Sequence, residues 1–461
     1  MNAIEGIKFL RSPSFLRFLF ALAEASLPPA CKSAFIGGLV AVMAVAAAPI
    51  SHAQSNGDTL TWYGGTSQFD WSANSNIWLD NGIPVRLSSG KDRHNNYLFT
   101  FGVAGTNASA LFAVPAAMQT GGNTFYSTAI TFENLFNATN TTSLSGSAPT
   151  ASSLVLGASN GQNSITSEQW SITNKATSGI VTFGPTAGNG NNNLTFALYD
   201  SGTISVAAGG NVVMSLAVND FSASRTGGIT KTGGGVLTLS GSNTFTGATT
   251  INAGTLQAVG AGALGSGSIG TSAITVNNGG TLLLGGSASV TDRINGSAVV
   301  TLNGGTFNTG GLSERNLSGT TVTPGLGALT LQSSSLIDLA NGASILSFSN
   351  SSTQTWTGTL SIYNWSGTPV IGNGIDQLFF GTDTTGLTST QLTQINFYLD
   401  SGTTFLGTAM WASGGNGEVT PGAKPNPIPE PSTWLAGSLS FAAIAYAQLR
   451  RVRRRSRPTH T

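Results

Sequence analysis

Histidines, carboxylates and one cysteine are the groups in this 461-residue chain that could do chemistry, and their spacing argues against catalysis. The histidines are His52, His94 and His460, of which only His94 lies away from the ends. It sits in Lys91-Asp92-Arg93-His94-Asn95-Asn96, which reads as a polar turn, and no Gly-x-Ser-x-Gly elbow accompanies it to build a nucleophilic triad. Cleavage of a polysaccharide needs carboxylates held a few ångströms apart. Here Asp200, Asp220, Asp292, Asp338, Asp376, Asp383 and Asp400 are scattered singly, so only stacking in space can pair them. Gly188-Asn189-Gly190-Asn191-Asn192-Asn193 lacks the aspartate that would bring charge to a hard cation. Gly233-Gly234-Gly235 has no Lys-Ser/Thr after it and is no phosphate loop. Cys31 precedes an apolar segment near the N-terminus, leaving no disulfide, thiolate or cysteine metal site beyond it. The expectation is no catalytic residue, no metal and no cofactor.

Charge leads the same way. Lys and Arg total 19 against 18 Asp and Glu, but the basic residues gather at the ends. Between residues 54 and 428 there are nine Lys/Arg against 15 Asp/Glu, a net of −6. Nucleic acid needs a basic patch to neutralise its phosphates, and this body has none.

The ends read as addresses. Lys32 is followed by an apolar run over 34–50 and then Ser51-His52-Ala53, small residues where a signal peptidase reads. Cleavage is expected after Ala53, with Gln54 first in the mature chain. The leader ahead of Lys32, with Lys8, Arg11 and Arg17, is long. At the other end Pro425, Pro427, Pro429 and Pro431 impose an extended backbone. An apolar run over 434–449 follows, then Arg450, Arg451, Arg453, Arg454 and Arg455. As a helix that run spans ~24 Å, short of the ~30 Å hydrocarbon layer, a gap that snorkelling arginines can close. The arginines would stay cytoplasmic. This order resembles the PEP-CTERM sorting signal, carried here by Pro429-Glu430-Pro431-Ser432-Thr433-Trp434, the helix and the arginines. The resemblance implies handling by an exosortase near Pro429, Glu430 and Pro431.

The body between is punctuated by many of the 61 glycines, with Asn, Ser and Thr, between short runs of Val, Ile, Leu and Thr: short strands and tight turns. Ile251-Asn252-Ala253-Gly254-Thr255-Leu256 recurs as Val276-Asn277-Asn278-Gly279-Gly280-Thr281-Leu282 and again as Leu302-Asn303-Gly304-Gly305-Thr306-Phe307. A period in the range of ~20–50 residues signals a solenoid. From Gly228-Ile229-Thr230-Lys231-Thr232-Gly233-Gly234-Gly235-Val236-Leu237 through Asn243-Thr244-Phe245-Thr246-Gly247 to Gly254-Thr255-Leu256, the order is similar to the autotransporter-associated β-strand repeat. That resemblance implies a right-handed parallel β-helix like those of passenger domains. No run of alternating amphipathic strands near the C-terminus would close an outer-membrane barrel, so self-export is not expected.

The fold class expected is therefore all-β, a right-handed parallel β-helix or solenoid with an N-terminal signal helix and a C-terminal transmembrane helix; a β-sandwich is the alternative. The expected divisions are a signal peptide over 1–53, a Trp-rich cap over 54–110, the solenoid over 111–348 with its repeat near 228–265, a β module over 349–421, a linker over 422–428, and the sorting signal over 429–461. Trp62, Trp71 and Trp78 either cover the solenoid's open end or stack on sugar rings. In the 349–421 module, Gln391-Leu392-Thr393-Gln394-Ile395 reads as a single helical turn. The function expected is that of an exported, non-catalytic surface or extracellular-matrix protein, structural or adhesive within exopolysaccharide or through self-association. Signal peptidase and exosortase are its expected export partners, and the tail holds it at the membrane before processing. A β-helix carbohydrate-active enzyme or a glycan-binding module is the alternative.

Overall fold

The computed structural model describes residues 194–422 with breaks at 267–268 and 319–320. It also describes the strands before them from Thr59–Trp62 onward with a few adjoining residues, and residues 444–451. The signal segment with Ala53 and Gln54, all three histidines, Trp71, and the motif Pro429, Glu430 and Pro431 lie outside the described residues.

Alternation of apolar and hydroxyl side chains makes the strands and sets their faces. Ala273–Asn277 reads Ala-Ile-Thr-Val-Asn; Ile274 and Val276 are buried while Ala273, Thr275 and Asn277 face outward. β-branched residues suit such a half-buried pleat. The chain then turns through Asn278 and Gly279, where Gly279 has φ +82°, a backbone that glycine adopts without steric cost. It enters Gly280–Gly285, which belongs to a different sheet. After an irregular stretch containing Arg293 and Ile294 it returns to the first sheet as Val299–Asn303, parallel to and beside Ala273–Asn277.

The same circuit repeats along the chain. The first sheet has 15 strands and the second 16, and most neighbours are parallel. Parallel partners need crossovers between them, which a sandwich of hairpins does not supply. Strands such as Leu194–Leu198, Val218–Asp220, Ile345–Phe348 and Gln377–Phe380 form a third side. Between them single backbone bonds carry the pairing, among them Thr244 N to Val218 O, Asn243 N to Gly262 O and Leu264 N to Arg293 O.

The core runs through the middle. On the second sheet Leu237, Leu256, Leu282, Phe307, Ile337 and Ile362 stand in register, each fully buried. Each aliphatic or aromatic side chain so buried contributes ~1.5–3 kcal/mol. Among the described residues, strands of the parallel stack bury one face against their own circuit and pair their backbone with the circuits on either side, so stability is a nearest-neighbour property.

At both ends the pairing turns antiparallel. Thr59–Trp62 pairs with Trp78–Asp80, which pairs with Ile83–Val85; the register sets Trp62 opposite Trp78. At the other end Leu360–Tyr363 still stacks parallel on Ser335–Asp338, and Ile395–Tyr398 on Leu360–Tyr363, so the parallel stack continues past residue 349. Phe405–Trp411 then adds antiparallel, followed by Glu418–Pro421, which reaches Gln377–Phe380 on the third side. This hairpin gives partners to edges on two sides that would otherwise be open. The short helix here is Ser389–Thr393, beginning earlier than the turn expected at Gln391. A capping box between Thr388 and Gln391 fixes its start. Residues 444–451 are helical and exposed. Among the described residues no helix is long and apolar enough to cross a membrane.

Candidate functional site

Stacking in space brings together what the sequence separates, and the product is a polar skeleton inside the protein. On the first sheet's inner face the register runs Ile172, Ile204, Lys231, Ile251, Val276 and Leu302. Lys231 is fully buried in this aliphatic column. Its ammonium donates to the carbonyls of Thr232 at 2.8 Å, Gly233 at 2.7 Å and Ala253 at 3.1 Å. Two circuits are thereby tied at one corner. Burial pushes the Lys231 amine down to about 8. The signal for its position was present: in Ile229-Thr230-Lys231-Thr232 the phase of Ile229 turns Lys231 inward.

One corner outward of this column, asparagines form a ladder. Asn277 Nδ2 donates to Asn252 Oδ1 at 2.7 Å, and Asn303 Nδ2 to Asn277 Oδ1 at 2.9 Å. The Ser333 hydroxyl continues it onto Asn303 at 3.2 Å. These are the asparagines of the sequence repeat. Spaced 25 and 26 residues apart, they stand one above another.

On the third side sits the densest cluster. Arg293 is fully buried and donates Nε to Gly285 O, Nη1 to Val290 O and Ser313 O, and Nη2 to Ser287 O. Glu314, also fully buried, accepts the backbone N–H groups of Arg293 at 2.9 Å and Ile294 at 3.0 Å on Oε1. Its Oε2 lies 3.7 Å from Arg293 Nη1. Burial pushes the Glu314 carboxyl up to about 8, against the opposing pull of those two N–H groups and of Arg293.

The other acids are held one at a time. Asp376 accepts from Ser344 N and Ser366 N, and Glu418 from Asn373 N; burial raises both. Asp338 takes the amides of Asn308 and Asn364. Asp220 takes Gly227 N and Thr246. Asp400 and the exposed Asp383 cap turns; the Thr403 hydroxyl foremost holds Asp400 low, and the Thr385 hydroxyl does so for Asp383. The charge of Asp292 adds to the rise of the Glu314 carboxyl, which is itself enclosed. Among the described residues no three of His, Cys, Asp or Glu are grouped to hold a metal ion. The arrangement stiffens turns and corners.

Residues 229–258 match the family model of the passenger-associated-transport-repeat. No curated protein and no solved structure matches the chain. The match indicates an exported, surface-associated protein, and the repeat is one circuit with the start of the next. It opens on Ile229–Thr232 with Lys231, passes through Val236–Leu239 and the buried Asn243 and Phe245, and ends in Gly254–Val259. Asn243 explains one of the repeat's polar positions. Its Oδ1 accepts Val218 N from the circuit below and its Nδ2 donates to Ala263 O of the circuit above.

The raised Glu314 carboxyl has a measurable consequence. Its ordinary value is 4.5 and its folded value about 8, so between those limits the folded protein holds a proton that the unfolded chain releases. Stability from this group is complete below pH 4.5 and is lost as pH rises toward 8. Denaturation midpoints measured across that window should fall with pH. Glu314→Gln keeps an oxygen for both N–H groups and should flatten that slope.

Proposed function

We propose that this protein is an exported, non-catalytic component of the cell surface or extracellular matrix, built as a parallel β-solenoid whose antiparallel ends protect it from edge-to-edge pairing. The observation that carries the reading is the repeat at residues 229–258, set in a stack whose buried ionisable groups serve corners and turns. A body of this kind presents long hydroxyl- and amide-covered faces and contributes reach and contact area. In this reading signal peptidase cuts after Ala53, the run over 434–449 pauses in the membrane, and an exosortase acts at Pro429, Glu430 and Pro431. The mature body then has a structural or adhesive role among exopolysaccharide chains or neighbouring copies.

Deleting residues 429–461 tests the sorting step. The truncated protein should still leave the cytoplasm but lose its surface retention, appearing in the medium when fractions are probed with an antibody against the body. Unchanged retention would remove the sorting role from the tail. Recovery of the full chain in the cytosol would remove export itself.

A further inference from the structure

The outward face of the first sheet carries a lattice of small hydroxyl and amide groups that the export reading does not use. One column runs Ser171, Thr203, Thr230, Thr250, Thr275, Thr301 and Thr330, each directly in register with the next. Two residues along each strand stands a second column: Thr173, Ser205, Thr232, Asn252, Asn277 and Asn303. Backbone pairing fixes the rung spacing at ~4.8 Å and the column spacing at roughly 6.7 Å. No register shift interrupts the ladder from Ser171 to Thr301; the first comes between Leu302 and Asn303.

Three further properties narrow what such a face can bind. On the strands of this ladder from Gly202–Val206 to Leu329–Ser333, the outward positions carry no charged and no aromatic side chain. A charged polymer therefore finds no counter-charge there, and a sugar ring finds no aromatic platform to stack on. Among the described residues the hydroxyls of Thr203, Thr230, Thr250, Thr275 and Thr301 enter no intramolecular hydrogen bond, whereas Thr330 at the ladder's end donates to Gln354. Each free hydroxyl can both donate and accept, and beside it sits a methyl group that cannot. The inner face beneath is buried, and its polar members are held in place: Lys231 by three carbonyls, Thr249 by the Thr271 hydroxyl and Asn174 by the Asn211 carbonyl. The array is neutral and periodic along the stack.

We infer that this face binds crystalline water: it adsorbs to an ice surface. Water held by the hydroxyls, between the methyl row of the threonines and the amide row of the asparagines, takes up the repeat of the sheet. Oxygen rows in hexagonal ice repeat on nearly the same scale as neighbouring β-strands. First-shell water bridging at such an array costs little immobilisation entropy when the groups beneath are already fixed. A rigid lattice can meet a solid lattice at many points at once, so weak contacts sum without further ordering of the protein. The inference is independent of the sorting signal and survives its failure.

The test is partition of the purified full chain into a slowly growing ice shell, with ice recrystallisation followed by microscopy. The wild-type chain should be incorporated into the ice and keep crystals small. Thr250→Lys with Thr275→Lys should be excluded like an inert protein, with an unchanged circular-dichroism spectrum and melting midpoint. Thr275→Tyr, which suits a strand, should show the same loss if the lysines impair folding. Thr281→Lys, outward on the second sheet, should be incorporated like the wild type. Exclusion of the wild-type chain from ice, or full incorporation of the ladder variants, would overturn the inference. So would retention of the wild-type chain on an insoluble neutral polysaccharide that the ladder substitutions abolish, since that result assigns the face to sugar.

Discussion

Replacing Arg293 by methionine should lower the unfolding free energy of the full chain by about 3–5 kcal/mol, the usual cost of removing one partner from a buried charged pair. Methionine fills much of the same volume, so the loss is not chiefly a cavity. The guanidinium satisfies the carbonyls of Gly285, Val290, Ser287 and Ser313, drawn from the irregular segment before it and from the neighbouring circuit. Without it the buried Gly285 carbonyl is left facing an apolar chain, at a cost of ~1–3 kcal/mol, while the part-buried carbonyls of Val290, Ser313 and Ser287 lose a charged donor. Glu314 also loses the nearby cation that favours its charged form, so its carboxyl should titrate higher still. Glu314→Ala should be comparably harmful by a different route, because Arg293 N and Ile294 N lose their common acceptor. Urea denaturation of the two single variants and Glu314→Gln separates the routes. A near-wild-type Arg293→Met would mean that water enters and replaces the guanidinium.

That cluster is also where sequence reading stops. Apolar–polar alternation marks the strands of the first two sides, and the recurrence of Ile251-Asn252, Val276-Asn277 and Leu302-Asn303 shows which residues stack. Those three asparagines do form a ladder, and Leu256, Leu282 and Phe307 do fall in one buried column. The third side leaves no such trace. Between the sheets it is carried by isolated bridges such as Leu264 with Ile294 and Glu314 with Leu346, too short to have a period. Circuits there differ in length as well: the hairpin of Asn316–Ser318 with Thr321–Thr323 is inserted after Glu314 and Arg315. Arg293 and Glu314 meet across this irregular region, where neither repeat nor alternation fixes who faces whom. Lys231 was different in kind. Its strand's phase turned it inward, but a lysine among isoleucines reads as a surface residue until the three carbonyls at the corner are seen. The candidate outward face was legible only in part. Each Thr-x-Asn is visible in the chain, but that Thr230, Thr203 and Ser171 continue the same column depends on registers that spacing alone does not supply.

Gly254→Val should rank beside Arg293→Met, with a loss of about 2–5 kcal/mol when the strain of a left-handed backbone is combined with overpacking. Gly254 has φ +66°, where a β-branched residue is a genuine outlier. A Cβ built there would meet Gly233 O at 2.4 Å, Gly235 O at 2.5 Å and Gly234 C at 2.8 Å. All three contacts are backbone, so no side chain can swing aside. Relief requires the circuit beginning at Gly254 to lift away from the one below, which strains the pairing of Gly254–Val259 with Val236–Leu239 and the bond from Lys231 to Ala253 O. Because each circuit draws its stability from its neighbours, the damage should appear as a local opening around residues 233–256 before the whole stack unfolds. Hydrogen exchange resolves the two stages: amides of Val236–Leu239 and Gly254–Val259 should lose protection, while those of Ser335–Asp338 and Leu360–Tyr363, on circuits farther along, keep theirs. Gly279→Val is the informative control. Its φ is +82° as well, yet a Cβ there meets nothing within 4 Å. It should therefore pay only for the backbone conformation, and the difference between the two variants measures the close approach of one circuit to the next.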